Sequence, residues 1–329
     1  MVLRKYQASV VCLFILSTVF FTLNVGVAQA AYPEKPITLI VPWPPGGASD
    51  VTPRSLLKTM SEELKQPVII VNRPGAAAVV GTLEMERAAP DGYTIGTYSY
   101  SQTLTNFTAP NPPSLTNVVP VAKVMYSPAT LTVNANFPAN NLAEFVRYAK
   151  ANPGKVRSAN SGKGASAHIF AEAFDQITGI KETHVPFNGY APAITAVAGG
   201  HIEATCIPVG DVHAMVKAGK LKMLAVAMQE RHHLYPNVPT MKELGVNLDT
   251  GNWVGFVAPK GVSEEIIAKL DRAIDKALKS PEVVSSWREM GNVTTYLNYK
   301  DFAKWLVPHV AETRALVESL GLLVAPPKK

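Results

Sequence analysis

Cysteine is nearly absent from this 329-residue chain: Cys12 and Cys206 are the only two. Cys12 lies in an N-terminal apolar run, so once that run is removed no disulfide can form within the chain. A chain of this length buries enough core not to need one. Cys206 in HIEATCIPV reads as a small buried residue rather than a nucleophile. Metal-ligand clusters are missing too. His232 and His233 are adjacent in a loop-like stretch, and His184, His201 and His213 are scattered without cysteines or carboxylates at ligand spacing. No run of lysine and arginine interleaved with aromatics tracks a nucleic-acid backbone, which excludes that class of partner. Neither GxxxxGK[ST] nor GxGxxG occurs, so no nucleotide loop is expected, and GASAH is not the G-x-S-x-G of a hydrolase elbow. After the N-terminus no second apolar run is long enough to span a membrane.

What is present begins with that N-terminus. MVLRKYQ, the apolar ASVVCLFILSTVFFTLNVGV and the small-x-small triplet Ala28-Gln29-Ala30 form a secretory signal over residues 1–30, with cleavage before Ala31. The alternative, a retained anchor, is disfavoured by the clean cleavage site and by Pro33 and Pro36 just beyond it. Cleavage removes Arg4 and Lys5 and lowers the formal net charge from +6 by two, to +4. That mild excess suits an exported protein that meets small anions.

Strand-like and helix-like segments alternate from ITLIVPW onward, which predicts an α/β fold with parallel sheets covered by helices on both faces. The predicted strands are ITLIVPW, PVIIVN, TIGTYSYS, VAKVMY, ATLTVNA, VRSANS, THVPF, HIEATCIPV, LKMLAVAM and NWVGFVAPK. Ser263 is placed as the N-cap of an amphipathic helix, SEEIIAKLDRAIDKALKS. A last helix is expected from about Asp301 to Leu320, kinked at Pro308. With no linker between the halves, the expectation is two lobes joined by crossing strands near residues 125–135 and 250–258. Lobe 1 is expected to comprise residues 31–130 plus 255–329, and lobe 2 residues 131–254.

Three strand-to-helix loops would meet at one cleft, because ligands of open α/β sheets sit beyond the carboxyl ends of strands. The first is PWPPGGASD, residues 42–50. Its candidates are Trp43, Pro45, Gly46, Gly47, Ser49 and Asp50. The glycines allow close backbone approach and the helix start supplies free N–H groups. Asp50 is read as a helix cap that disfavours a multiply charged phosphate and leaves room for a single carboxylate. The competing reading is a tight capped turn with no ligand. SANSGKGASAH contributes Ser161, Gly164, Ser166 and His168, with Lys163 as a nearby charge. HVPFNGYAPA contributes Phe187, Asn188 and Gly189, and Ser101 follows the strand TIGTY. Ser166 and His168, two apart, cannot pair as nucleophile and base on one helix.

YPEKPITLIVPWPPGGASD, VNRPGAAAVVG, PDGYT, SANSGKGASAH, VPFNGYAPAITAVAGGHIEA, AGKLKMLAVA and NVPTMKELG occur in this order. Together they closely resemble the Bug-type solute receptors of tripartite tricarboxylate transporters, over essentially the whole mature chain. The resemblance implies a two-lobed fold like that of class II periplasmic binding proteins, a periplasmic location and a small carboxylate ligand. It also implies a membrane permease of one large and one small subunit, and no cofactor, metal or catalysis; a monomer is expected. Pro45, Gly46, Gly47 and Asp50 look like the family's first-lobe carboxylate clamp, and Ser161 to His168 like the second-lobe side. This chain departs from the family at Trp43, where Phe is frequent. It departs again at Gly75-Ala76-Ala77-Ala78, where Gly-Ala-Gly-Gly is common, and at Phe187-Asn188-Gly189 in place of Tyr-Lys-Gly. Loss of that phenol and cation points to a less charged or aromatic acid. A receptor that signals to a sensor kinase, and a serine or cysteine hydrolase using Ser166 or Cys206, are the rival classes.

Overall fold

The computed structural model describes residues 32–324; the signal sequence assigned to residues 1–30 lies outside them. From Lys35 onward the described residues form one compact unit.

The first half of the chain lays down β1 (Ile37–Val41), α1 (Ala48–Leu64), β2 (Val68–Asn72), α2 (Val79–Glu86), β3 (Thr94–Ser99), α3 (Tyr100–Thr108) and β4 (Val118–Pro128). The chain then builds β5 (Thr130–Asn134), α4 (Leu142–Ala151), β6 (Arg157–Asn160), α5 (Ser166–Thr178) and β7 (Thr183–Pro186). It continues through α6 (Tyr190–Ala198), β8 (Ala204–Thr205), α7 (Val209–Lys217) and β9 (Leu221–Val226). It closes with β10 (Gly251–Pro259), α8 (Glu264–Leu278), α9 (Pro281–Met290), β11 (Val293–Asn298) and α10 (Tyr299–Ser319).

Two sheets result. One has the order β11-β4-β10-β3-β1-β2 and the other β7-β6-β8-β5-β9. Neither is purely parallel, which corrects the expectation from strand–helix alternation. β1 is parallel to β2 and β3, but β10 runs antiparallel to both β3 and β4. In the second sheet β6 is parallel to β7 and β8, while β5 is antiparallel to β8 and β9. The reason is that the connecting strands enter each sheet from the other one, opposite in direction to the strands joined by helices.

The two halves are linked by two passages lying side by side. β4 and β5 are separated only by Ala129. The Ala129 N–H donates to Thr250 O (2.9 Å), and Ala129 O accepts from Ala227 N (2.8 Å). All nine residues of β10 are buried, as the central strand between β3 and β4 requires. HIEATCIPV forms only the two-residue β8; Cys206 follows it, buried, and burial pushes its thiol well above the usual range. Three elements went unread in the sequence: α3, α9 and β11. α3 (YSQTLTNFT) is rich in threonine and serine, poor helix formers, and is held by burial: Tyr100, Ser101, Gln102, Thr103, Leu104 and Thr105 are all inside. The Ser263 hydroxyl does cap α8, accepting from Ile266 N, and α10 carries Pro308 in its interior.

Candidate ligand-binding cleft

α1, α3, α5 and α6 point their N-termini into one cleft between the sheets. The loop before α1 is shaped by Gly46, whose φ of +98° is a left-handed value open to glycine at little cost. Gly47 is the N-cap residue of α1 and supplies no side-chain cap. Asp50 lies in the first turn, not at the cap position expected from the sequence. Its Oδ2 reaches back to accept from Gly46 N (3.0 Å), and Arg54 Nε (2.9 Å) and Asn72 Nδ2 (2.8 Å, to Oδ1) hold it from the other side. Burial alone would raise its pKa; the bonds from Arg54, Asn72 and Gly46 outweigh burial and hold it below the ordinary value. Asp50 is therefore a buried brace of the loop, 2% exposed, and lines neither cavity described below.

The N–H groups of this loop can be accounted for one by one. Gly46 N is taken by Asp50. Ala48 N donates to Oδ1 of Asp211, 163 residues away on α7 of the second sheet's half, at 2.7 Å. Asp50 N and Val51 N are turned to Gly47 O. Gly47 N and Ser49 N remain, and both residues line a small inner cavity with Trp43, Pro44, Ser101, Ser161, Gly189, Tyr190 and Ala191. Trp43 is 7% exposed and Ser161 2%; the Trp43 Nε1 and Ser161 Oγ atoms are shut off from solvent and have no hydrogen-bond partner in the protein. The Ser161 hydroxyl comes near the Tyr190 phenol without reaching bonding geometry. Two orphaned donors facing one cavity cost free energy unless something accepts from them.

Hydroxyls bridge the two halves across the cleft. Ser101 Oγ on α3 contacts Ser166 Oγ on α5 at 2.8 Å and accepts from Ser166 N at 3.2 Å, and the Ser166 hydroxyl also bonds the Tyr190 hydroxyl. Thr108 Oγ1 donates to Gly164 O at 3.2 Å. Burial and the Asp211 charge push the Tyr190 phenol up, so it stays neutral. His168 is turned away from Ser166: its Nδ1 accepts from Gly164 N (3.3 Å) and its Nε2 lies 3.4 Å from Glu172. Burial, with the His184 and Lys163 charges, lowers its pKa to about 4, so it is neutral at physiological pH.

The inner cavity has a volume of about 20 Å³, room for about one water. Next to it, lined by residues adjoining Ser161 and Gly189 in the chain and by the loop before α2, lies a chamber of about 640 Å³. Gly75, Ala76, Ala77 and Val79 face Gly162, Lys163, Phe187 and Asn188 there. Ala76, Ala77 and Ala78 all have positive φ (46°, 53° and 77°), strained for alanine, and at Ala77 and Ala78 the family resemblance led to glycine. Among the described residues lining the two spaces, Lys163 is the only charged one.

Of the fourteen candidates named from sequence, Trp43, Gly47, Ser49, Ser101, Ser161 and Gly189 line the inner cavity, and Phe187 and Asn188 the outer chamber. Gly164, Ser166 and His168 support the cleft through the bonds just described. Pro45 and Gly46 are exposed on the loop, and Asp50 braces it. Sequence reading missed Pro44, Tyr190, Ala191 and Asp211. Tyr190 was within reach of inspection, as the aromatic hydroxyl opening a helix after Gly189. Nothing local marks Asp211, whose partner is 163 positions away.

The model of the tripartite tricarboxylate transporter receptor family matches residues 52–322. The chain belongs to that family. Protein BugT of Bordetella pertussis is 36% identical over 270 residues, 80% of this chain and 83% of that one. The solved periplasmic binding protein BugD superposes with a TM-score of 0.84 at 28% identity, covering 89% of this chain and 99% of its own. The R. palustris protein Rpa4515, solved with adipate, gives 0.85 at 26% identity and covers 90% and 99%. The receptor thus has the two-lobed periplasmic-binding-protein fold, its first lobe built on the six-stranded sheet and its second on the five-stranded one. Among its described residues no helix is long and apolar enough to cross a membrane.

Proposed function

We propose that this receptor captures a small organic carboxylate in the cleft and delivers it to a tripartite tricarboxylate-type permease. It does so as an exported monomer freed of residues 1–30. The observation that carries this reading is the set of uncharged donors around the inner cavity. Gly47 N, Ser49 N, Trp43 Nε1 and the Ser101, Ser161 and Tyr190 hydroxyls converge there with no acid or base among the lining residues. Such a ring holds one carboxylate and does not demand a second charge. The chamber beyond, with Phe187, Val79 and the three alanines, takes the apolar or aromatic body of a monocarboxylic acid, and Lys163 meets a polar far end. Binding of adipate by a relative of the same fold supports the ligand class. Catalysis is not the reading: Ser166 has hydroxyl partners and no base, and Cys206 is a buried thiol.

The lobes, expected as residues 31–130 plus 255–329 and residues 131–254, are assigned with Thr130 moved to the second lobe and all of β10 to the first, and with the passages at Ala129 and Thr250 as hinge. An inner cavity of about one water admits a carboxylate only when the lobes part, so closure accompanies capture. The test is a thermal-shift screen of adipate, succinate and benzoate, followed by calorimetric titration. An acid at a hundred times its dissociation constant adds about 2.7 kcal/mol. Absence of any shift across mono- and dicarboxylates at millimolar concentration sinks the carboxylate reading.

A further inference from the structure

The helix that offers Gly47 N and Ser49 N to a ligand already holds a carboxylate of the protein's own. Asp211 Oδ1 accepts from Ala48 N, between those two groups in sequence, at 2.7 Å. The bond joins α7 of the second lobe to α1 of the first, and among the described residues Asp211 is the one carboxylate with a hydrogen bond between these two helices. Its Oδ2 is shut off from solvent and has no partner. Gly47 lies against it: a Cβ built there would sit 3.6 Å from Oδ1. The orphaned Trp43 and Ser161 donors mark the same cavity as one that receives an acceptor.

We infer that Asp211 is a latch between the lobes, and that it makes capture of an anionic ligand take up one proton. The inference rests on the carboxylate reading given above. Two carboxylates on one helix N-terminus repel each other at short range in a site poor in water. The repulsion ends when a solvent proton binds Oδ2, the oxygen not held by Ala48. Asp211 then keeps its Ala48 bond through Oδ1 and stands beside the ligand as a neutral acid. Burial, partly offset by the Ala48 bond, already raises the pKa of Asp211 to about 7.

The groups around Asp211 leave that charge uncompensated. α6 presents only the Tyr190 phenol, which is neutral. On α1 the Asp50 carboxylate is spent on Arg54, Asn72 and Gly46. His213 on its own helix bonds Tyr235. Lys123 of β4 donates to Thr295, and Lys222 of β9 to Phe137 O and Asn140. α9 packs on α7 and carries Glu282, Arg288 and Glu289, none of which hydrogen-bonds Asp211. The neighbouring Asn292 and Ser127, against Gly210, are uncharged.

The sign follows. A ligand carboxylate is ionised throughout the neutral range, so it binds best when Asp211 is protonated. Affinity is full below neutrality and falls as pH rises past it, by up to about tenfold per pH unit. Asp211→Asn keeps an acceptor for Ala48 N and carries no charge. The experiment titrates adipate and benzoate into the intact mature receptor and into Asp211→Asn between about pH 6 and pH 9. Titrations in buffers of low and high ionisation enthalpy count protons taken up. The expected result is a fall in wild-type affinity with rising pH, with proton uptake, and a flat profile at the acid-side affinity in Asp211→Asn. A flat wild-type profile without proton uptake overturns the inference while leaving the carboxylate reading intact. Small-angle scattering of Asp211→Ala without added acid tests the latch separately. Loss of compactness relative to wild type is expected, and an unchanged radius of gyration overturns the latch even if no acid of the panel binds. Failure of both acids to bind overturns the proposed function and, with it, the proton coupling.

Discussion

Helices that point into the cleft and helices that do not are capped in opposite ways. α4, α8, α9 and α10 each begin with a side chain that caps its own N-terminus: Asn141, Ser263, Ser280 and Asn298 accept from N–H groups two or three residues on. The four that open on the cleft, α1, α3, α5 and α6, begin at Gly47, Ser99, Ala165 and Gly189, and α2 and α7 beside them at Ala78 and Pro208; none of these side chains makes a capping bond. Self-capping is worth about 1 kcal/mol per helix, so its absence at every helix start around the cleft is a cost borne for another use. The free N–H groups there are met by partners from the opposite lobe: Ala48 N by Asp211, Ser166 N by Ser101. The outer helices stabilise the lobes one at a time; the inner helix starts make stability depend on closure and leave a place for an anion.

The comparison breaks most severely where closure is closest. Gly164 has φ +80°, and a Cβ there would run into the Thr108 side chain of the other lobe. Gly164→Ala is expected to hold the lobes apart and weaken carboxylate binding by about a hundredfold, ~2.7 kcal/mol. Calorimetry and scattering together check it, since near-normal affinity with an unchanged compact form would mean the cleft does not need this approach. Gly47 is a milder case. Its φ of −86° suits any residue, so Gly47→Val should fold normally, yet its branches enter the space beside Asp211 and Tyr190 where Gly47 N meets the ligand. A loss of tenfold or more, about 1.4 kcal/mol, is expected with an unaltered melting temperature. Wild-type affinity in this variant would leave PPGGASD as a turn without a ligand.

Asp50 separates bracing from binding. Asp50→Asn removes an acceptor from Gly46, Arg54 and Asn72 and is expected to lower stability by about 1–2 kcal/mol, with a smaller effect on affinity. Because the folded-state pKa of Asp50 lies below its unfolded value, its contribution is present above about pH 4 and is lost as pH falls further. Denaturant melts of wild type and variant should therefore differ at neutral pH and converge at acid pH. Equal stability at neutral pH would remove Asp50 from the brace. The smallest effect belongs to the outer helices. Ser263→Ala should cost about 0.5–1 kcal/mol and leave carboxylate affinity untouched. A change in affinity there would show that the two sets of helices are not independent.

Much of this was legible before any coordinates. The order of strands and helices, the Ser263 cap and the three glycine loops at strand ends follow from local pattern. Hydrophobic period, turn residues and caps act within a few residues of themselves. Local pattern failed at α3, a helix of serines and threonines that is held by burial, and at β10, whose antiparallel place depends on which sheet the chain returns to. It failed again at Asp50, read as a cap though it lies in the first turn and is drawn inward by Arg54 and Asn72.

The amino-acid sequence by itself determined the family, the α/β class, the glycine loops with Trp43, Gly47 and Ser161, and the absence of a charged clamp at Phe187-Asn188-Gly189. Each of these is a matter of residue type and short spacing. The tertiary structure alone decided which N–H groups remain for a ligand, that Trp43 Nε1 and Ser161 Oγ are left without partners, and that Asp211 meets Ala48 across 163 residues. Those are facts of desolvation and long-range pairing. A buried donor or a shared helix terminus acquires its energetic meaning only when two distant segments exclude water from the same few ångströms.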